Sequence, residues 1–129
     1  MSPCLVWRAG AVRRIARMEA LARRLVPDAM WAAAGPLLPD RRPRPQGGGR
    51  AAADARAVLV AVVYVVTSGC AWQHLPPSFG VSVPTAHRWF TRWTGADLWR
   101  NLCEATSHDP ALADWTRAIQ ECAARRVHT

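Results

Sequence analysis

Ten consecutive apolar residues, Ala57 to Val66, constrain the fold more than any other feature of the chain. A membrane-spanning helix needs about 20 such residues, so this run is predicted to lie in a protein core. Its many β-branched residues favour a strand. Asp54 as an N-cap, Arg56 in the first turn and the length of the segment favour a buried helix that ends at Gly69.

Further helices are predicted from apolar spacing and from capping residues. Their predicted limits are Asp28–Leu38, Ala71–Leu75, Ser82–Thr94 and Asp97–Thr106, with Asp28, Ser82 and Asp97 as side-chain caps. The segment from Asp114 to Glu121 is expected to be strand or coil. The sequence shows no strong strand and no repeat, so the predicted fold class is all-α, a small helical bundle.

The domain organisation follows from the placement of charge, proline and glycine. Residues 1–25 are predicted to form a flexible, basic helical tail that does not join the core, and Met18 offers an internal start that would leave residues 1–17 untranslated. Residues 26–107 are the predicted folded domain, in which 39–53 form a linker rich in Pro, Gly and Arg. Residues 108–129 are expected to be a remnant, or the start, of a missing domain.

Charge and cysteine usage narrow the class of function. The net charge is +8, and all seventeen basic residues are arginine. Arginine binds phosphate through two parallel hydrogen bonds, so this composition suits nucleic acid, although solubility or anionic lipid would also explain it. The four cysteines lack the spacing of a zinc ribbon or a disulfide scaffold. With no signal sequence or membrane span, a cytoplasmic protein with reduced thiols and no metal site is expected.

The segment from Leu75 to Trp93 has the layout of a helix-turn-helix. A short helix is followed by a turn at Ser78–Val81 and then by a capped helix. One side of that second helix is apolar, and the opposite side carries Thr85, Arg88 and Arg92. A helix of this kind can enter the major groove of DNA and contact base edges. The alternative interpretation is an ordinary solvated helix face in a bundle.

The linker carries further arginines, and Arg44 and Arg50 are candidate DNA contacts. A flexible segment of Arg and Pro can follow phosphates or enter a minor groove. Equally, its charges would keep a solvated linker extended.

An ordered set of landmarks resembles the N-terminal region of bacterial insertion-sequence transposases, of the insertion-sequence-five type in the DDE class. The resemblance covers about residues 26–119. Its landmarks are Trp31, Pro36–Pro39, Gly69–Trp72, Leu75–Pro76, Thr85–Arg88, Trp93 and Leu98–Trp99. The resemblance implies a helix-turn-helix domain that binds the terminal inverted repeats of the element. In complete members an RNase-H-like domain with three carboxylates follows.

This sequence departs from the family pattern near its end. We expect the catalytic domain of the family to be missing from this chain, and Glu121 occupies the position that resembles the first catalytic carboxylate. No cofactor is expected for this chain, since Mg²⁺ would serve only a complete transposase. The expected partners are double-stranded DNA, a second copy of the chain and a catalytic polypeptide from a downstream reading frame. A small helix-turn-helix regulator and a non-functional fragment are the alternative functions.

Overall fold

The apolar run forms the central helix of an all-helical domain. The computed structural model describes residues 17–39 and 54–127, and these residues contain helices and turns but no strand. The α-helices are α1 (residues 17–25), α2 (Asp28–Ala34), α3 (Ala55–Ser68), α4 (Val83–Gly95), α5 (Leu98–Ala105) and α6 (Pro110–Val127). Short 3-10 turns cover Gly35–Leu37, Trp72–His74 and Pro77–Phe79. None of the described helices is long and apolar enough to cross a bilayer.

The structure confirms the helix predicted for the apolar run and both of its ends. An Asp54 carboxylate oxygen accepts a hydrogen bond from the Arg56 backbone N–H at 3.1 Å, and Gly69 adopts a left-handed conformation with φ of 75°. Burial on nearly all sides outweighs the strand preference of its β-branched residues, because other helices enclose α3. The buried residues are Val58, Leu59, Val60, Ala61, Val62, Val63, Val65 and Val66.

The chain joins the core earlier than the predicted domain start at residue 26. Residues 17–25 form α1, and Leu25 and Val26 are buried, while Leu21 packs against the core. The indole N–H of Trp115 donates a hydrogen bond to the Leu25 carbonyl oxygen at 2.8 Å. The second part of the predicted tail is therefore a packed helix. Residues 1–16 lie outside the described residues.

The predicted side-chain capping is wrong at Asp97, which precedes α5 without a capping hydrogen bond, and at Asp28. Pro27 occupies the N-cap position of α2, and Asp28 is the first residue of the helix, without a capping hydrogen bond. Its carboxylate instead pairs with the Arg56 guanidinium at 2.5 Å, and the same guanidinium donates to the Val26 carbonyl oxygen at 3.2 Å. Arg56 thus holds the start of α2 against the start of α3, and it lowers the pKa of the Asp28 carboxyl.

The largest departure from the sequence predictions is α6, since residues 114–121 are helical and not strand or coil. Ile119 and Ala123 are buried against the other helices, and α6 packs on both α3 and α5. The hydroxyl oxygens of Thr106 and Thr116 lie 2.9 Å apart in the buried interface. The described part of the predicted remnant, through residue 127, is therefore a helix of the same bundle.

Near its C-terminal end, α6 contacts the segment that leads into α4. One guanidinium nitrogen of Arg126 donates to the Val65 carbonyl oxygen at 3.0 Å and also to the Cys70 carbonyl oxygen. The Arg126 guanidinium lies 5.7 Å from the centre of the Trp72 ring. A cation at the carboxyl end of a helix is favourable, so Arg126 stabilises the end of α3 and fixes the turn that follows.

Candidate nucleic-acid interface

Helix α4 begins after its predicted cap, Ser82, extends through Gly95, one residue past its predicted end, and buries the predicted apolar side. The Ser82 hydroxyl oxygen accepts a hydrogen bond from the Thr85 backbone N–H at 3.3 Å, and Pro84 lies in the first turn. Proline is tolerated there because its missing N–H would have no partner within the helix. The buried residues of α4 are Ala86, Phe90 and Trp93, so the apolar side faces the core.

The first helix of the predicted helix-turn-helix is not an α-helix. Between α3 and α4 the chain forms two 3-10 turns, Trp72–His74 and Pro77–Phe79, followed by Gly80 with φ of 73°. Pro76 and Pro77 have no N–H to continue a helix, which limits the first turn to three residues. The α-helix that precedes α4 is therefore α3, and the helix-turn-helix arrangement stays a prediction.

The outer face of α4 is the side of the helix that carries its exposed residues. Arg88 lies within this face, and Arg92 and His87 mark its two flanks. These exposed residues are Pro84, His87, Arg88, Thr91, Arg92 and Gly95. Since successive residues of an α-helix are rotated by about 100°, His87 and Arg92 lie about 140° apart around the axis. Of the predicted DNA contacts, Arg88 and Arg92 are exposed on this face, while Thr85 is half-buried beside it. The structure thus brings three of the five predicted residues together.

Each flank of the outer face packs against a tryptophan ring. The Arg92 guanidinium lies 5.4 Å from the centre of the Trp89 ring, one turn earlier in the helix. On the other flank, the His87 ring stands edge-on to Trp72, with 5.4 Å between the ring centres and 86° between the planes. Contacts of this kind reduce the number of orientations that an exposed side chain samples, so less order is lost when it binds a ligand.

Hydroxyl groups near these cations are already engaged within the helix. The Thr85 hydroxyl oxygen lies 2.8 Å from the Ser82 hydroxyl oxygen, from which it accepts a hydrogen bond, and the Thr91 hydroxyl donates to the His87 carbonyl oxygen at 3.0 Å. Thr91 and His87 also belong to the outer face, and neither is among the DNA contacts predicted from the sequence. Their positions four residues apart, each one residue before an arginine, were the available signal.

The elements that form this face carry no acidic side chain. The sequence contains no Asp or Glu between Asp54 and Asp97, so α3, both 3-10 turns and α4 carry no carboxylate side chain. The first acidic residue after α4 is Asp97, whose carboxylate lies 3.6 Å from the Arg100 guanidinium. An anionic ligand approaching the outer face would therefore meet the positive charges of Arg88 and Arg92 without a carboxylate on the same elements.

Other predicted site residues lie elsewhere. Arg44 and Arg50 fall outside the described residues. Glu121 is exposed on α6, and within residues 17–39 and 54–127 no group of three or more His, Cys, Asp or Glu is arranged to hold a metal ion. The sulfur of Cys103 lies 3.2 Å from the side-chain oxygen of Gln120, and burial raises the pKa of this thiol.

Comparisons with known proteins converge on mobile genetic elements. Residues 26–103 match a family model described as "Putative transposase of IS4/5 family". A similar protein is the uncharacterized 16.2 kDa protein of insertion element IS402 from Burkholderia cepacia, 33% identical over 86 residues. That similarity covers 65% of this chain and 58% of the relative's length. No solved structure matches the chain.

Proposed function

Since this chain belongs to the IS4/5 family of insertion-sequence transposases, we propose that it binds double-stranded DNA at the terminal inverted repeats of its element. The observation that carries the proposal is the outer face of α4, where Arg88 and Arg92 are exposed on elements without carboxylates. In this function α4 enters the major groove, which is about 12 Å wide and admits an α-helix.

The positions of the two arginines suggest different roles. Arg88 lies between the flanks of the outer face, so it is directed towards the floor of the groove, where a guanidinium can pair with guanine O6 and N7. Arg92 lies on one flank, towards the wall of the groove, where the phosphates run. Its contact with Trp89 orients it for a phosphate, which fixes the position of the protein without reading sequence.

The proposed function also sets the partners. We expect a homodimer, because each end of the element carries one copy of the repeat and each copy would bind one protomer. The cleavage of element ends requires carboxylates from a catalytic polypeptide. Arg44 and Arg50 would add phosphate contacts from the linker. The proposed binding would take place in the bacterial cytoplasm, where the DNA of the element lies. Of the two alternative functions, neither the regulator nor the non-functional fragment is favoured by the family match.

A binding assay tests these roles with a fluorescent duplex from the end of the element and a scrambled duplex of equal length. Arg88→Ala should weaken binding to the element end by about 1–3 kcal/mol and reduce the preference over the scrambled duplex. Arg92→Ala should weaken both complexes equally and reduce the slope of log affinity against log salt by about 0.9. Arg117→Ala, an exposed arginine of α6, is the matched control.

Two results would contradict the proposal. One is binding to either duplex that does not change with salt concentration, because phosphate contacts release counterions. The other is an Arg117→Ala variant that loses as much affinity as the two α4 variants, because general charge and not the outer face would then explain binding.

A further inference from the structure

His87 occupies the flank of the outer face opposite Arg92, and its exposed ring packs edge-on against Trp72. Trp72 in turn packs against two further groups. The centres of the Trp72 and Phe90 rings lie 5.2 Å apart, and the Arg126 guanidinium lies 5.7 Å from the centre of the Trp72 ring. Unlike a side chain that contacts only solvent, His87 has its ring orientations limited by the contact with Trp72. The arrangement resembles that of Arg92 on Trp89 across the helix.

We propose that His87 is a DNA-phosphate ligand that binds in its protonated form, so that DNA binding takes up a proton and affinity falls as pH rises. This inference rests on the proposed DNA-binding function and adds to it a residue and a pH dependence. The chemistry required is that of a phosphodiester oxygen accepting a hydrogen bond from an imidazolium N–H.

The geometry of the groove supports this assignment. A helix in the major groove has phosphates along both walls, and residues on opposite flanks of the helix face opposite walls. With Arg92 directed to one wall and Arg88 to the floor, the residue about 140° from Arg92 faces the other wall. That residue is His87.

The charged groups around His87 determine whether DNA affinity rises or falls with pH. Arg88 follows it in α4, His74 belongs to the 3-10 turn that carries Trp72, and Arg126 of α6 contacts the same indole ring. The remaining ionisable side chains on elements packed against α4 are Arg56 and Tyr64 of α3 and Arg100, Cys103 and Glu104 of α5. Glu104 of α5 is the one carboxylate in this set, and α4 and both 3-10 turns have none, so we expect the negative charge that favours an imidazolium at His87 to come with the DNA.

The test measures the dissociation constant of the full chain with a mixed-sequence DNA duplex between about pH 6 and pH 8, the range in which histidine changes charge. Ionic strength is held constant. The wild-type complex should weaken by about fivefold across this range, which corresponds to an affinity for the proton that rises about tenfold on binding. A mixed sequence is sufficient because a phosphate contact does not depend on base sequence.

Two substitutions at the same position separate this role from a structural one. His87→Gln should bind without pH dependence and as weakly as the wild type at high pH, whereas His87→Arg should bind without pH dependence and as tightly as the wild type at low pH. His108→Gln, in the exposed turn between α5 and α6, should keep the wild-type profile. Circular dichroism and thermal unfolding verify that each variant is folded.

The outcomes distinguish this inference from the function on which it rests. If no variant binds DNA at any pH, the proposed function fails. If the wild type binds DNA with an affinity that does not change with pH, or if His87→Gln keeps the wild-type pH profile, DNA binding stands and the role of His87 is overturned.

Discussion

Arg126→Ala should lower the free energy of unfolding by about 2–3 kcal/mol, although the residue lies near the end of the chain. The substitution removes charge-assisted hydrogen bonds to the carbonyl oxygens of Val65 and Cys70, which by truncation are worth about 1.5–3 kcal/mol each. It also removes a cation–π contact with Trp72 of about 0.5–1 kcal/mol. The total stays below this sum because the Ser68 hydroxyl also donates to the Val65 carbonyl oxygen, at 3.3 Å.

Urea denaturation of the full chain, followed by circular dichroism, measures this loss. Arg117→Ala is the matched control, since it removes the same charge from an exposed position of the same helix and should change stability by less than about 0.5 kcal/mol. Equal losses in the two variants would refute the reasoning. They would mean that the end of α6 does not stabilise the turn before α4, and that α6 is less integral to the bundle than its contacts indicate.

Three further outcomes are expected. A chain that starts at Met18 should keep the helical content and thermal stability of the full chain, whereas one that starts at Pro27 should lose stability because α1 no longer covers the core, as circular dichroism would show. Arg56 lowers the pKa of Asp28 in the folded chain, so the pair stabilises the fold above the unfolded pKa near 3.9, and this contribution is lost as pH falls through the folded pKa. On acidification below about pH 5, the melting temperature of Asp28→Asn should therefore fall by less than that of the wild type. Finally, the purified chain should not nick an element end with Mg²⁺ or Mn²⁺, because two such ions need several converging carboxylates; metal-dependent nicking that Glu121→Gln abolishes would contradict this.

Local signals in the sequence predicted α3 and α4 closely. Asp54, Gly69 and Ser82 act through hydrogen bonds or backbone conformations within a few residues of themselves, so their effect is visible in the sequence alone. The buried side of α4 follows from apolar spacing in the same way. The outer face was predicted in part for this reason, since it is the opposite side of the same helix.

Longer-range contacts could not be predicted. Asp28 pairs with a residue 28 positions later, and Arg126 donates to a carbonyl 61 positions earlier, and neither pairing leaves a local pattern. The helical nature of α6 was a different case, because Leu112, Trp115 and Ile119 follow helical spacing. The expectation of strand or coil for residues 114–121 does not take this helical spacing into account.

Helices α4 and α5 meet at Asp97, which among the described residues is the one non-glycine with positive φ, at 59°. Left-handed backbone costs most residues about 1–2 kcal/mol, and Asp and Asn tolerate it better because their short side chains bond locally. Few residue types should therefore be tolerated at position 97. Relatives that keep the corner are expected to carry Asp, Asn or Gly there, and a β-branched residue would mark a relative in which α5 leaves α4 at a different angle.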